Sequence, residues 1–516
     1  MTQSGEPANI QQPQNKAEWV EQGDLLFQRK FYKKALDAYE QALRLESGNA
    51  TTLSKKGQAL GKLGRYYEAL TAYERSLQVD PTNAYTLSAR GDILHHLKRY
   101  EEALTAYSQA LKIDPQLAET YSYQGNTLST LGRYEEALNS YLKAARLTPD
   151  VALIYNNTGS TLYKLHRYEE ALAAYDRAIE LEPDLTAAYE DKGVTLQRLK
   201  RYDEALQTYN QALEVDPPNP LLQDPANNTS YLQHSHETYL RDQLSIYFKK
   251  GKLLYDLRRY QDALETYNQA LETAPDNIAL HLNKAAILRV QAHHKEAIEV
   301  YNQALKLDPK NVELYTNKGG TLYDLERYQE ALQTYQQAIQ LDPQNAEVLL
   351  TTGHILETLE RYKEALIIYD QALEIDPQNA EIYSDKGDAL SALSRYTQAI
   401  ECYDEALTLD KSNPVVYLNR GDALYTLKRY QEALSDYEQG LRISPRDLML
   451  TLGKGDTLSV LGRHEQALIT YERAIHLEPE NASAYQRRGL LLEYLGRVTE
   501  AQDSYAQARR LGFQGK

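Results

Sequence analysis

Within residues 118–151, AETYSYQGNTLSTLGRYEEALNSYLKAARLTPDV, apolar and small side chains recur at helical spacing on two separate stretches. Tyr121, Leu128 and Leu131 fall on one stripe of a first helix, and Ala137, Leu138, Tyr141 and Ala144 on one stripe of a second. Gly132 and Arg133 make the turn between them. Glu135 and Glu136 occupy the first turn of the second helix, where the helix dipole favours acids, and Pro149 stops it. The pattern predicts two helices joined by a tight turn.

This cassette returns every 34 residues. With Ala118 counted as place one, glycine holds place eight at Gly23, Gly57, Gly91, Gly125, Gly159 and Gly193, then at Gly251, Gly319, Gly353, Gly387, Gly421, Gly455 and Gly489, with Ala285 in the one gap. Leucine at the place of Leu128, alanine at that of Ala137 and tyrosine at that of Tyr141 occur in all fourteen units. Gly125 has no side chain and Ala137 only a methyl, so the two helix axes are expected to approach closely there, with Leu128 and Tyr141 filling the space on either side. Residues so uniform within one chain share a packing task and read as core. A fixed period of this length is the mark of a repeat array, which grows in one dimension.

The period slips once. Gly193 to Gly251 is 58 residues, so 24 residues, roughly 220–243, are inserted between the sixth and seventh units. Its first part, PLLQDPANNTSYLQ, carries two prolines and a run of turn formers and reads as an irregular loop. The remainder, HSHETYLRDQ, reads as more loop or as a backward extension of the next helix by two or three turns. A lid or docking role competes with a plain insertion tolerated at a unit junction. The break divides the array into blocks of six and eight units, with flexing expected between them.

Most of the signature places of the tetratricopeptide repeat are matched unit by unit from about Lys16 to Phe513, and the chain resembles that family closely. Trp19 stands where the family often has tryptophan, and proline closes eleven units, with Ser47, Lys411 and Phe513 as departures whose ends are expected to be looser. The resemblance implies an all-α solenoid: antiparallel helix pairs stacked into a right-handed superhelix, first helices lining the concave face. The expected organisation is a disordered polar tail at 1–15, repeats one to six at 16–219, the insertion at 220–243, repeats seven to fourteen at 244–513 and a short tail at 514–516. The RYEEAL-type turns resemble arrays common in bacteria, cyanobacteria included.

Composition narrows the partner. With 57 Lys+Arg against 73 Asp+Glu the net charge is -16, which repels phosphate backbones and anionic membranes and suits a basic protein or peptide instead of nucleic acid. Cys402 is the only cysteine, so neither a disulfide nor a thiolate zinc cluster is expected. The polar start has no signal-peptide core and no run is apolar enough to span a bilayer, which makes the cytoplasm the default. Most of the 43 tyrosines are repeat core, so their number is no sign of signalling. No P-loop, dinucleotide glycine cluster, metalloprotease helix or nucleophile elbow appears, so neither an enzyme nor a cofactor is expected. The histidine pairs His95 with His96, His293 with His294 and His234 with His236 bring no carboxylates at ligand spacing and predict no metal site.

In the family, ligands are met by places two, five, six, nine, twelve and thirteen of the first helices. Over units one to eight these places balance, with Glu21, Asp24, Asp92, Glu119, Glu190, Asp191 and Asp256 against Lys55, Lys62, Lys164, Arg198, Lys249, Lys252 and Arg289. Over units nine to thirteen they hold Glu313, Asp324, Glu347, Glu357, Glu381, Asp385, Asp388, Asp422 and Asp456 with no Lys or Arg. A groove of one sign steers opposite charge toward it, so a Lys/Arg-bearing segment is the expected ligand, with Tyr323 and Tyr425 as aromatic anchors. The lysine that the family's chaperone-tail clamp needs at place five is missing from every unit. A partial asparagine ladder at place six, Asn157, Asn283, Asn317 and Asn419, is the other candidate contact. The function expected is a noncatalytic scaffold or adaptor. The alternative is a structural or assembly subunit that joins itself, or a larger and possibly membrane-bound complex, through its ends.

Overall fold

The computed structural model describes residues 15–215 and 229–513, with side chains from residue 240 onward in the helix that opens at Thr229. The expected terminal tails, except Asn15, and the insertion up to residue 228 lie outside the described residues, as do the side chains of His234 and His236. The described residues form 28 α-helices and no strand, arranged as fourteen consecutive pairs from Lys16–Gln28 with Tyr32–Leu45 to Ala482–Tyr494 with Val498–Arg510. By contact they fall into two compact bodies, Met1–Thr273 and Ala274–Lys516, each holding seven pairs.

Local chemistry sets each boundary. Asparagine at the last place of one unit caps the first helix of the next: Asn345 accepts from Val348 N and Asn379 from Ile382 N. Between the helices of every pair, place fifteen adopts a left-handed conformation. Only Gly64, Gly132, Gly462 and Gly496 supply glycine there, while ten other turns hold residues such as Lys98, Glu326 and Ser394 at φ near +60°. The turn persists because it satisfies helix-end carbonyls, as when Arg133 N donates to Leu128 O at 2.9 Å. Arg133 then turns onto Glu136 at 2.7 Å through Nε and Nη2, a pairing repeated at Arg65–Glu68, Arg99–Glu102 and Arg361–Glu364. These pairs are exposed and screened by solvent, so they orient the turn more than they stabilise it.

The expectation for the insertion is revised. The helix after it runs Thr229–Asp256, 28 residues, so it extends backward further than HSHETYLRDQ and takes in the end of the segment read as loop. The insertion does not part repeats six and seven, since Ser245 Oγ donates to Glu190 Oε1 at 2.8 Å and Lys249 pairs with the same carboxylate. The contact boundary falls one pair later, after Thr273.

Packing within a pair is governed by glycine and tyrosine. A Cβ on Gly125 would lie 2.6 Å from Tyr141 Cε1, and one on Gly353 only 2.2 Å from Tyr369 Cε1. The space at place eight is therefore taken by the ring of the second helix, rather than by close approach to Ala137. Tyr141, Tyr369 and Tyr403 are 2 %, 0 % and 1 % exposed. Crossing over glycine carries the hydroxyl across the first helix, and in five repeats place nine receives it: Tyr39 donates to Asp24 at 2.9 Å, Tyr141 to Asn126 at 2.6 Å, Tyr403 to Asp388 at 2.6 Å, Tyr437 to Asp422 at 2.6 Å and Tyr471 to Asp456 at 2.8 Å. Tyr369 differs. Place nine of its unit is His354, and the Tyr369 hydroxyl is buried with no partner.

Two outcomes follow from this packing. Gly125→Ala destabilises repeat four by about 1–3 kcal/mol through overpacking, read as faster hydrogen exchange in Ala118–Leu147, and unchanged exchange there contradicts it. Tyr403→Phe costs repeat eleven about 1–2 kcal/mol by removing a hydrogen bond to a charged acceptor, whereas Tyr369→Phe is neutral or stabilising because that hydroxyl has no acceptor to lose. Equal losses in the two variants, measured by the same exchange experiment, contradict the distinction.

Candidate partner-binding face of the first helices

Places two, six, nine and thirteen succeed one another at helical spacing and so share a face of each first helix. On that face, place nine of one repeat meets place six of the next. Lys55 reaches Asp24 at 2.5 Å, Asn157 Nδ2 donates to Asn126 at 3.2 Å, Ser160 to Asp191 at 2.9 Å, Asn419 Nδ2 to Asp388 at 2.8 Å, and Arg487 pairs with Asp456 at 2.9 Å. In all of these but Ser160–Asp191 a core tyrosine hydroxyl reaches the same acceptor. Core tyrosine, place-nine acceptor and place-six donor thus form a polar link between successive repeats, repeated along the array where the residue types allow.

This link changes the reading of the acidic tract. Asp388 is not a free charge but accepts from both Tyr403 and Asn419, and burial holds its carboxyl above the usual range. Cations enter from the flanking repeats: Arg289 of repeat eight pairs with Asp324 at 2.7 Å, and Arg487 of repeat fourteen with Asp456. The face of repeats nine to thirteen is therefore less negative than its own residues suggest, and its uncompensated part narrows to repeats ten to twelve. Tyr323 and Tyr425 both lean edge-on against their second helices, 5.1 Å from Tyr328 and 5.3 Å from Tyr430, which presets their orientation.

The four ladder asparagines are not alike. Asn157 and Asn419 donate within the links just described, Asn283 Nδ2 turns back to its own helix at Ala279 O, 2.7 Å, and Asn317 is half-buried. Only the first two take part in joining repeats.

Asp422 is exposed and lacks the inter-repeat donor. Thirty-one residues on, where Asp24 has Lys55, Asp388 has Asn419 and Asp456 has Arg487, it has Gly453. A Cβ there would lie 2.6 Å from Tyr437 Cε1, so that ring fills the place a donor's stem would take. Tyr437 is the hydrogen-bond donor to Asp422, and the charge of Arg487 reaches it from beyond.

Repeats ten and eleven carry the second departure. His354 at place nine puts Nε2 2.5 Å from Asp385 Oδ2, which raises the imidazole above its ordinary value through that hydrogen bond. The link is the usual one with base and acid exchanged. Glu381 lies alongside: a nitrogen of His354 and oxygens of Glu381 and Asp385 lie within 4.8 Å of one another, the one such group among the described residues. Glu357, one turn from His354, is pushed up to about 7 by burial first, then by the charges of Asp385 and Asp388. Its Oε1 is buried and neighbours the Tyr369 hydroxyl, yet the two fall outside hydrogen-bonding geometry. The histidine pairs weighed in the sequence do other things: His95 meets Thr127 at 2.8 Å and His293 meets Glu296 at 2.9 Å. His354 and Gly453 escaped notice because each is ordinary alone. The 31-residue spacing that relates them to Asp385 and Asp422 was present in the sequence and is the signal that finds them.

Among the described residues no helix is long and apolar enough to cross a membrane. A search of curated proteins returns no match. Among solved structures, the chain is similar to YrrB, titled a TPR protein with an unusual peptide-binding site, at 26% identity over 34% of this chain and 92% of that one, TM-score 0.30. It is similar to MamA 41-end from Desulfovibrio magneticus RS-1 at 20% identity, 32% and 94% coverage, TM-score 0.31, and to the APC/C hetero-tetramer Cut9–Hcn1 at 13% identity, 97% and 95% coverage, TM-score 0.36. Family models described as tetratricopeptide repeat match residues 54–118, 150–217, 248–312, 291–349, 322–385, 414–447 and 452–512, and one described as TPR repeat matches 23–64, 125–166 and 387–428. With helix pairs of one length, one turn and one glycine–tyrosine lock throughout, the chain belongs to the tetratricopeptide repeat family.

Proposed function

We propose that the chain is a noncatalytic interaction scaffold whose first-helix face at repeats ten to thirteen takes a Lys/Arg-bearing segment of a partner protein. The observation that carries this reading is Asp422. Comparable acids at Asp24, Asp388 and Asp456 each receive a donor from the following repeat, and Gly453 leaves Asp422 without one. A guanidinium or ammonium from outside supplies the same bond, charge-assisted and set beside a tyrosine already hydrogen-bonded to the carboxylate. Glu357, Glu381 and Asp385 extend the negative field toward repeat ten and steer a basic segment along the face. Tyr425, held edge-on by Tyr430, offers a rigid ring for the stem of a neighbouring side chain. Tetratricopeptide arrays bind proteins or peptides and are in general noncatalytic, which supports the scaffold reading.

Fluorescence anisotropy with a short peptide containing two arginines, and with its glutamate counterpart, checks this. The wild-type chain binds the arginine peptide in a salt-sensitive manner and does not bind the glutamate one. Asp422→Lys weakens binding by about tenfold or more, as expected when a close charge pair becomes a repulsion, while Asp24→Asn in repeat one leaves it unchanged. Joint Asp385→Lys, Asp388→Lys and Asp422→Lys abolishes it with helicity retained. Equal binding of the two peptides, or binding indifferent to Asp422→Lys, contradicts the proposal.

A further inference from the structure

The cluster at repeats ten and eleven has donor atoms of mixed kind, with His354 on one first helix and Glu381 and Asp385 on the next. His354 and Glu357 stand one turn apart on Ala346–Thr358, and Glu381 and Asp385 one turn apart on Ala380–Ala392. Residues three or four apart lie on one helix face, so both pairs can turn toward a single point. His354, Glu381 and Asp385 already bring their ligating atoms within 4.8 Å of one another, and modest side-chain rotations gather them around an ion at the usual distance of about 2 Å. His354 and Asp385 are 39 % and 19 % exposed at the side chain, open enough for an ion to enter.

A second observation points into the same place. The Tyr369 side chain is 0 % exposed, and its hydroxyl is buried without a partner. Its ring stands edge-on to His354, with centroids 6.4 Å apart, and its hydroxyl lies within the field of Glu357, Asp385 and Asp388. The corresponding hydroxyls of Tyr403, Tyr437 and Tyr471 each have an acceptor. Buried polar groups in folded proteins are almost always satisfied, so an orphan hydroxyl beside a buried carboxylate oxygen, Glu357 Oε1, that is likewise unpartnered marks a space arranged for something further.

We propose that His354, Glu381 and Asp385 bind a divalent cation of the zinc class, with Glu357 as an additional carboxylate ligand and the Tyr369 hydroxyl directed at the ligand shell. The imidazole selects the class, because calcium and magnesium prefer all-oxygen shells whereas zinc accepts nitrogen and carboxylate together. The hydrogen bond between His354 and Asp385 then opens in favour of the ion, and a metal held by two successive first helices ties repeat ten to repeat eleven. The site uses neither Asp422 nor Gly453, so the peptide contact at Asp422 is tested separately, although its carboxylates are those that steer a basic segment along the face in the reading above.

The test uses the full chain with any affinity tag removed, stripped with a chelator and titrated calorimetrically with zinc near neutral pH, with calcium and magnesium as comparison ions. Zinc is expected to bind at one per chain with calcium and magnesium at least a hundredfold weaker, and cobalt in its place to give a visible ligand-field band. Glu381→Gln, an exposed change that leaves packing intact, and His354→Gln each weaken zinc binding at least tenfold, whereas Asp422→Asn leaves it unaltered. No stoichiometric binding, or binding that Glu381→Gln and His354→Gln leave as it was, overturns the proposal and leaves His354 and Asp385 as an ordinary ion pair. Loss of peptide binding with zinc binding intact contradicts only the scaffold reading.

Discussion

Each helix pair in this chain rests on one contact: a first helix gives up a side chain at place eight so that the tyrosine ring of the second can cross it. The distances leave little freedom, since a methyl at Gly353 would sit 2.2 Å from the ring of Tyr369. Ala285 shows that the methyl is tolerated once, where Tyr301 is still 1 % exposed. The contact has a directional result that a purely apolar lock would not have. Because the ring passes over the glycine of the first helix, the hydroxyl at its end reaches the residue at place nine in several repeats. Core packing and surface chemistry are thereby joined in one residue.

That junction explains why the acidic face behaves differently from a row of free charges. A carboxylate at place nine is at once the acceptor for a core hydroxyl and a neighbour of place six in the next repeat, so its availability depends on a residue 31 positions away. Asp388 with Asn419 and Asp456 with Arg487 are satisfied from within, and the two arginines that flank the tract compensate its ends. What is left over is concentrated where the pattern is broken, by glycine after Asp422 and by histidine in place of an acid at His354. In the reading proposed above, electrostatic steering acts along repeats ten to twelve and contact is governed by vacancy rather than by charge count.

The fold was legible in the sequence almost in full, because period, turn residues and helix stops agree at every level in a repeat array. Helix boundaries followed Pro149 and its equivalents, and the core alanines and tyrosines lie where the stripes put them. Place fifteen was less legible. Gly132 announces a left-handed turn, but Lys98 and Glu326 adopt the same conformation because the helix-end hydrogen bonds outweigh a modest backbone strain. The functional face was harder still. The list of inward acids counted charges and was silent about pairing, since Arg289 and Arg487 belong to repeats outside the tract and tyrosine hydroxyls carry no charge to count. Gly453 looked like one more packing glycine, and His354 was passed over because its carboxylates are 27 and 31 residues distant in the chain yet adjacent across two helices.

The scaffold function proposed for this chain depends on an unfilled donor place marking the ligand contact. The most direct measurement is a crystal structure of the full chain with an arginine-containing peptide bound. A guanidinium is expected on the Asp422 carboxylate, lying over Gly453, with the Tyr437 hydrogen bond retained. A peptide bound on the second-helix side, or one that reaches this face while leaving Asp422 bonded to Tyr437 alone, contradicts it.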